Sequence, residues 1–314
     1  MKKFLPLAFL FLFCPPPTGN AAPTANNLPA PEAVQGVSAP NEKVRKLASG
    51  FSFTEGPAVN TRGDVYFTDQ PNDRIWIWSI EGKLSCFREK SGRANGLYFD
   101  NDGALLSCSD ADNELWRIEK TGKHSVLAAK FKGEDLNGPN DLWVHPSGGI
   151  YFTDPFYARP YWRDTGRKPR KDGEHVYYLP PNRKTFSRVE ASLNKPNGII
   201  GTPDGRLLYV ADIGAGKTYR FDIKADGSLA NKQLFVEMGS DGMTIDAEGN
   251  VYLTGKGVTV FNPRGRLIEQ IPVPAPWTAN VCFGGTDGKT LFITASQGLY
   301  ALRMRVRGGG LPTK

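Results

Sequence analysis

An oxygen-bearing residue followed eight positions later by glycine recurs six times along the chain: Glu55 and Gly63, Asn95 and Gly103, Asn140 and Gly148, Asn197 and Gly205, Asp241 and Gly249, Asn280 and Gly288. The leading residues are 40, 45, 57, 44 and 39 positions apart, a period that suits a four-stranded propeller blade rather than a helical repeat. Each unit reads as leader, short apolar strand, polar turn carrying the glycine, and second apolar strand. Residues 140–144 then 149–154, and 197–200 then 206–212, are examples. Runs this short between turn signals are strands. A third strand rich in aromatic and β-branched residues follows at 75–78, 115–118, 176–179, 218–221, 258–261 and 299–302. The last unit runs out after Arg307, while an unused strand-like piece at 44–47 precedes the first leader. The expectation is an all-β, six-bladed β-propeller of four-stranded blades over residues 43–307, closed by that N-terminal strand so that no edge stays open. Residues 308–314 read as a flexible tail.

In such a ring the innermost strands start at one face of the central channel, so the six leaders should face one another at one mouth. Two of them, Glu55 and Asp241, are carboxylates, and Asn95, Asn140, Asn197 and Asn280 are amides. Crowded carboxylates repel unless one is protonated or a cation lies between them. Carboxylates with amide carbonyls are hard oxygen ligands, suited to one divalent cation, with Ca²⁺ first and Mg²⁺, Mn²⁺ or Zn²⁺ behind it. None of the three histidines, His124, His145 and His175, occupies a leader position. The second strand ends at Asp69, Asp110, Asp154 and Asp212 in the first four units, and at Gly255 and Ala295 in the last two. Those acids read first as caps of backbone N–H groups at strand ends.

The N-terminus carries Lys2 and Lys3, an apolar run over 4–13 and small residues around Ala21, the pattern of an export signal over residues 1–21. Residues 22–42 are Pro, Ala, Asn and Val with almost no charge, a flexible tether by composition. Cys14 as a lipid-anchored cysteine is the lesser reading, because bulky Phe13 precedes it. The mature chain is thus expected outside the cytoplasm, periplasmic or secreted. The formal charge of +7 loses two lysines with the signal. No dense basic stripe with interleaved aromatics points to nucleic acid, and no run approaches the roughly 20 apolar residues of a membrane span. Cys86, Cys108 and Cys282 are an odd set with no CxxC, so small buried side chains are the leading reading, with a Cys86–Cys108 bridge left open. Oligomeric state is not legible.

Four motifs in register, Thr54-Glu55-Gly56-Pro57, Pro139-Asn140-Asp141, Pro196-Asn197-Gly198 and Ser240-Asp241-Gly242-Met243, resemble the senescence-marker, gluconolactonase and luciferin-regenerating family of six-bladed propellers over about residues 44–305. The resemblance implies that Glu55, Asn140, Asn197 and Asp241 hold one catalytic metal, that Asn95 lies near the substrate, and that the reaction is hydrolysis of a small-molecule lactone. Asp241 is the first choice for general base, with Asp141 and Asp212 competing for the role. Unit three carries a long excursion over 155–174, with Phe156, Tyr157, Arg159, Tyr161, Trp162, Arg163, Arg167 and Arg170. It leaves the blade at the leaders' mouth and reads as a lid in which Tyr157, Arg159, Tyr161 and Trp162 touch substrate. No G-x-S-x-G or GxxxxGK[ST] is present, which disfavours serine-nucleophile and phosphate-loop chemistry. Two alternatives stay open: metal-dependent phosphotriester hydrolysis, and a propeller that binds without catalysing.

Overall fold

The computed structural model describes residues 36–162 and 165–311. The expected export signal, most of the tether and Cys14 lie outside them. Six antiparallel four-stranded sheets form the blades, with innermost strands Thr54–Val59, Ala94–Phe99, Leu142–Val144, Pro196–Gly201, Met243–Ile245 and Thr278–Gly284. Each innermost strand touches those of both neighbouring blades, and the sixth touches the first, so the ring is closed. The closing strand is Arg45–Ser49, which pairs with Gly298–Arg303 as the outer strand of the sixth sheet. This is the N-terminal closure expected from sequence, shifted by one or two residues.

The glycine comb has a backbone cause. Gly63, Gly103, Gly148, Gly205, Gly249 and Gly288 sit at φ of 98, 80, 90, 72, 82 and 67°, a region that glycine enters without a Cβ clash. Each closes the same turn between first and second strand by donating its N–H to a carbonyl three residues back, as Gly148 does to His145 at 2.7 Å. The blade core between sheets is filled by second and third strands, whose Phe67, Phe152, Tyr177, Tyr209 and Tyr252 are fully buried. Burying each such side chain contributes about 1.5–3 kcal/mol before entropy is counted.

Ordered packing extends beyond residues 43 and 307. Val37 is buried, and Glu269 accepts the N–H groups of Val37 at 2.7 Å and Ser38 at 3.0 Å. At the other end Gly308 donates to Gly288, and Gly309 to Ile245, both at 2.9 Å. Cys86, Cys108 and Cys282 are all free thiols, so the Cys86–Cys108 bridge does not form. Cys86 sits on the exposed outermost strand of blade 1 and Cys108 in the interior of blade 2. Among the described residues no helix is long and apolar enough to cross a membrane.

Candidate active site at the channel mouth

The leaders reach the channel because the ladder is broken at them. Pairing of the first and second strands slips between Glu55 and Ala58, Ala94 and Leu97, Pro196 and Ile199, and Thr278 and Asn280. A slip of this kind re-aims a side chain out of the sheet face. In blades 3 and 5 the strand begins only after the leader, at Leu142 and Met243. Glycine follows the leader in four units because the next blade lies too close for anything larger. A Cβ on Gly56 would fall 2.1 Å from the Asn95 carbonyl oxygen, and one on Gly242 1.9 Å from Cγ of Asn280. Blade 3 breaks the rule with Asp141, whose carboxylate occupies space that Gly96 leaves empty: a Cβ there would meet its Oδ1 at 2.6 Å.

Hydroxyl groups on the second strands tie the mouth together. Thr68 donates to the carbonyl of Asn95 at 3.1 Å, Thr153 to that of Asn197 at 2.8 Å, and Thr254 to that of Ala279 at 2.8 Å. Sequence reading missed these residues, although a Ser or Thr directly before the strand-end position recurs in five units.

The structure brings Asn197 to Asp241, and Glu55 within reach of the Asp241 and Asp141 charges. Asn197 Nδ2 donates to Asp241 Oδ1 at 3.0 Å and to the Tyr157 hydroxyl at 2.8 Å. Asn280 Nδ2 donates to Asp141 Oδ2 at 3.3 Å, and the same amide hydrogen-bonds Glu55. Asn140 spends its backbone on Thr153 and Gly96, at 2.9 and 2.7 Å, and is 4% exposed. Asn95 is buried beside it in the neighbouring blade. Burial pushes the Glu55 carboxyl well above its usual range, and the charges of Asp241 and then Asp141 raise it further. Burial likewise lifts Asp141 to about 7 and Asp241 to about 6, against hydrogen bonds that favour their charged forms. Asp241 is the least buried of the three, and Trp277 Nε1 donates to its Oδ2 at 2.6 Å.

These donors fit a hard cation. With Nδ2 of Asn197 engaged twice, its Oδ1 is buried with no hydrogen-bond donor, and it lies beside mutually repelling carboxylates. Among the described residues no group of three or more His, Cys, Asp or Glu gathers as a metal centre, so a cation here would draw on the Asn oxygens beside the carboxylates.

Two sequence candidates stand apart from the cage. Asp212 accepts the N–H groups of Asn194 and Lys195, both at 2.9 Å, with a different oxygen for each. Asp154 does the same for Asn137 and Gly138, while Asp69 accepts the N–H groups of Ser52 and Phe53 on a single oxygen, Oδ1. Three strand-end acids therefore clamp the loop that enters their own blade two or three residues before its leader. Asp212 is occupied by that structural role and does not join Asp141 and Asp241. Trp162 is 5% exposed and packs over Gly138 and against Phe156 and Arg167, inside the lid rather than on its substrate side.

Asp110, the fourth strand-end acid, has been released from clamping. Asp73 takes over in blade 2, accepting the Arg93 N–H at 2.6 Å and the Ser91 hydroxyl at 3.1 Å. Asp110 instead binds the lid, taking Arg159 Nε at 2.9 Å and the Tyr161 hydroxyl. The lid's far end is held by Arg170, which donates to the carbonyls of Phe131, Glu134 and Asp135 at 3.1–3.3 Å and pairs with Asp172 at 2.9 Å. The lid is thus pinned on both flanks, with Tyr157 on the cage residue Asn197.

The fold and site together make a six-bladed propeller with buried carboxylates and amides gathered at one mouth and a pinned lid above them. Residues 53–297 match the model of the SMP-30/gluconolactonase/LRE-like region, and the chain belongs to that family of lactone-hydrolysing enzymes. It is 28% identical to the gluconolactonase of Zymomonas mobilis over 93% of this chain and 92% of that protein. It is also 28% identical to a lactonase, drp35, of Staphylococcus epidermidis, over 77% of this chain and 74% of the other. The solved gluconolactonase of Xanthomonas campestris superposes with a TM-score of 0.79 at 27% identity, covering 85% and 91% of the two chains. Family membership sets aside the reading as a purely binding propeller.

Proposed function

We propose that this enzyme opens sugar lactones to their aldonic acids with one divalent cation, calcium by preference, held by Glu55, Asn140, Asn197 and Asp241, and that it works outside the cytoplasm. The observation that carries the reading is the donorless, buried Oδ1 of Asn197 beside Asp241 and Glu55. A cation bound there supplies Lewis-acid polarisation of the ring carbonyl and a more acidic water.

The protein's own groups do the rest. Asp241, the most accessible carboxylate of the three, takes the proton of the attacking water, while Asn197 and Trp277 hold its two oxygens in place. Asp141 is fixed by Leu142 N–H at 2.9 Å and by Asn280, and contributes negative charge from below the cage. Tyr157 and Arg159, stacked with the guanidinium 5.1 Å from the ring centre, form the lid face over the site and narrow the entry of bulk water. Asn95 completes the wall toward blade 2.

The test is metal analysis of the purified protein followed by a pH-monitored screen of five- and six-membered lactones, with and without chelator. Stoichiometric divalent metal, chelator-sensitive turnover and loss of both in Glu55→Gln are expected. A chelator-treated, metal-free protein that still hydrolyses gluconolactone at full rate would refute the reading.

A further inference from the structure

Trp277 is the one exposed tryptophan of the chain, 39% open to solvent, while the other five, all among the described residues, are buried or half-buried. It sits on the loop that enters blade 6, three residues before the leader Asn280. The other large apolar side chains of similar exposure lie away from the mouth: Leu84, Val126, Leu234 and Leu267 are on outermost strands, and Ile80 is in the turn before the first of these. Among the described residues the channel mouth therefore presents one large exposed hydrophobic group, and it touches the proposed base.

Three hydrogen bonds hold Trp277 in place. Its Nε1 donates to Asp241 Oδ2 at 2.6 Å, its backbone N–H donates to Ser296 Oγ at 3.1 Å, and its carbonyl accepts the Ser296 hydroxyl at 3.1 Å. Blade 6 has Ala295 where the first four blades have a strand-end acid, so Ser296, at a left-handed φ of 48°, secures the entry loop instead. The approach is stiffened by Pro272, Pro274 and Pro276, each with a fixed φ, and by a tight turn in which Ala275 N–H donates to the Val273 carbonyl at 2.8 Å. Blade 5 supplies Gly255 beneath the outer edge of the indole, where a Cβ would already lie 3.7 Å from Cη2. The ring is thus exposed and yet fixed, the condition under which a ligand finds a surface ordered before it arrives.

Asp241 lies between this ring and the lid. Its Oδ2 takes Trp277, and its Oδ1 takes Asn197 at 3.0 Å, whose same nitrogen reaches the Tyr157 hydroxyl at 2.8 Å. We propose that Trp277 is a substrate-binding residue: its exposed face takes the C–H face of the lactone ring and seats the ring carbonyl beside Asp241, on the flank away from Tyr157. The ring it takes is that of a carbohydrate-derived lactone, with C–H groups on its face and hydroxyls at its rim. Those C–H groups carry partial positive charge toward the negative face of the indole, while the rim stays in water. The reaction at the carbonyl rests on the lactonase reading above, whereas the stacking rests on the exposure and fixation of the indole.

The experiment uses the metal-loaded enzyme, gluconolactone as substrate, and the δ-lactam of gluconic acid as a ring that resists opening. Trp277→Phe and Trp277→Leu both lose the indole N–H, so they share its effect on kcat, but only the leucine variant loses the aromatic face. KM for gluconolactone should be about 10-fold higher in Trp277→Leu than in Trp277→Phe at similar kcat. Equal KM in the two variants overturns the proposal and leaves the lactonase reading intact. Titration with the lactam needs no turnover: a saturable blue shift of tryptophan emission in the unmodified enzyme, absent in Trp277→Phe although calorimetry still detects binding, supports the stacking. A lactam titration that leaves the emission unchanged overturns it. Failure to hydrolyse any lactone with the emission shift retained would sink the lactonase reading and leave the ring platform standing.

Discussion

At the scale of single residues, the site is defined by which polar atoms are already satisfied. Asp212 and Asp241 are both acids that sequence offered for the site, yet one is consumed by three backbone N–H groups, of Asn194, Lys195 and Ala215, and the other faces Asn197. Asp212→Asn is therefore expected to lower stability by about 1–3 kcal/mol with kcat largely kept, because the amide can no longer accept at both positions. Asp241→Asn should abolish turnover and leave the denaturant midpoint nearly unchanged; paired chemical denaturation and kinetics on the two variants check this. Trp277 makes a narrower prediction. Replacing it with Phe keeps a ring at the mouth but removes the N–H that fixes Asp241 Oδ2, and kcat should fall about 10-fold with KM little changed. Gly242→Ala is expected to cost both fold and activity, since its Cβ would overlap the Asn280 amide.

At the scale of strands and loops, much was legible because the backbone demands it. The turn glycines recur because left-handed φ is required in every blade, and the leaders recur where the ladder slips, as at Glu55 and Asn197, or begins only beyond them, as at Asn140 and Asp241. The comb made the six leaders legible, while the choice of Glu55, Asn140, Asn197 and Asp241 among them came from the family resemblance of their motifs. The division of labour among strand-end acids was not legible. Asp110 and Asp212 occupy equivalent sequence positions, and only three-dimensional neighbours, a lid above one and an entry loop beside the other, separate their roles. Trp162 was misplaced for a similar cause: an aromatic in a lid gives no sequence sign of which side it faces. Deleting residues 156–172 should raise KM strongly, as the wall formed by Tyr157 and Arg159 goes with it; unchanged steady-state kinetics would dispose of the lid. The lid's root also predicts an acid sensitivity. His175 is buried against Arg188 and Arg170 with Asp172 opposing them, and burial first, then the Arg188 charge, lowers its pKa from the ordinary 6.5. A lowered folded pKa means that the unfolded chain binds the proton more readily, so this contribution to stability is whole above about 6.5 and is lost as pH falls through the folded value. His175→Gln should flatten the decline of the denaturant midpoint on that acid side.

At the scale of the whole molecule, closure is made by residues from opposite ends of the chain. Arg45–Ser49 completes the sheet whose other strands lie at 278–303, and the segment just before it is fastened by Glu269. Removing residues 1–49 should leave Gly298–Arg303 as a bare edge, lower the melting temperature markedly and promote association, measurable by calorimetry and light scattering. The pairing of Arg45 with Ala301 also carries a consequence in time. The first strand to leave a ribosome or a secretion pore must wait for nearly the last one before it finds its partner. Such high contact order makes acquisition of the native state a late and slow event, reached only when synthesis or translocation is complete. A truncated transcript lacking the final hairpin would therefore yield an unlatched, protease-sensitive chain rather than a smaller working enzyme.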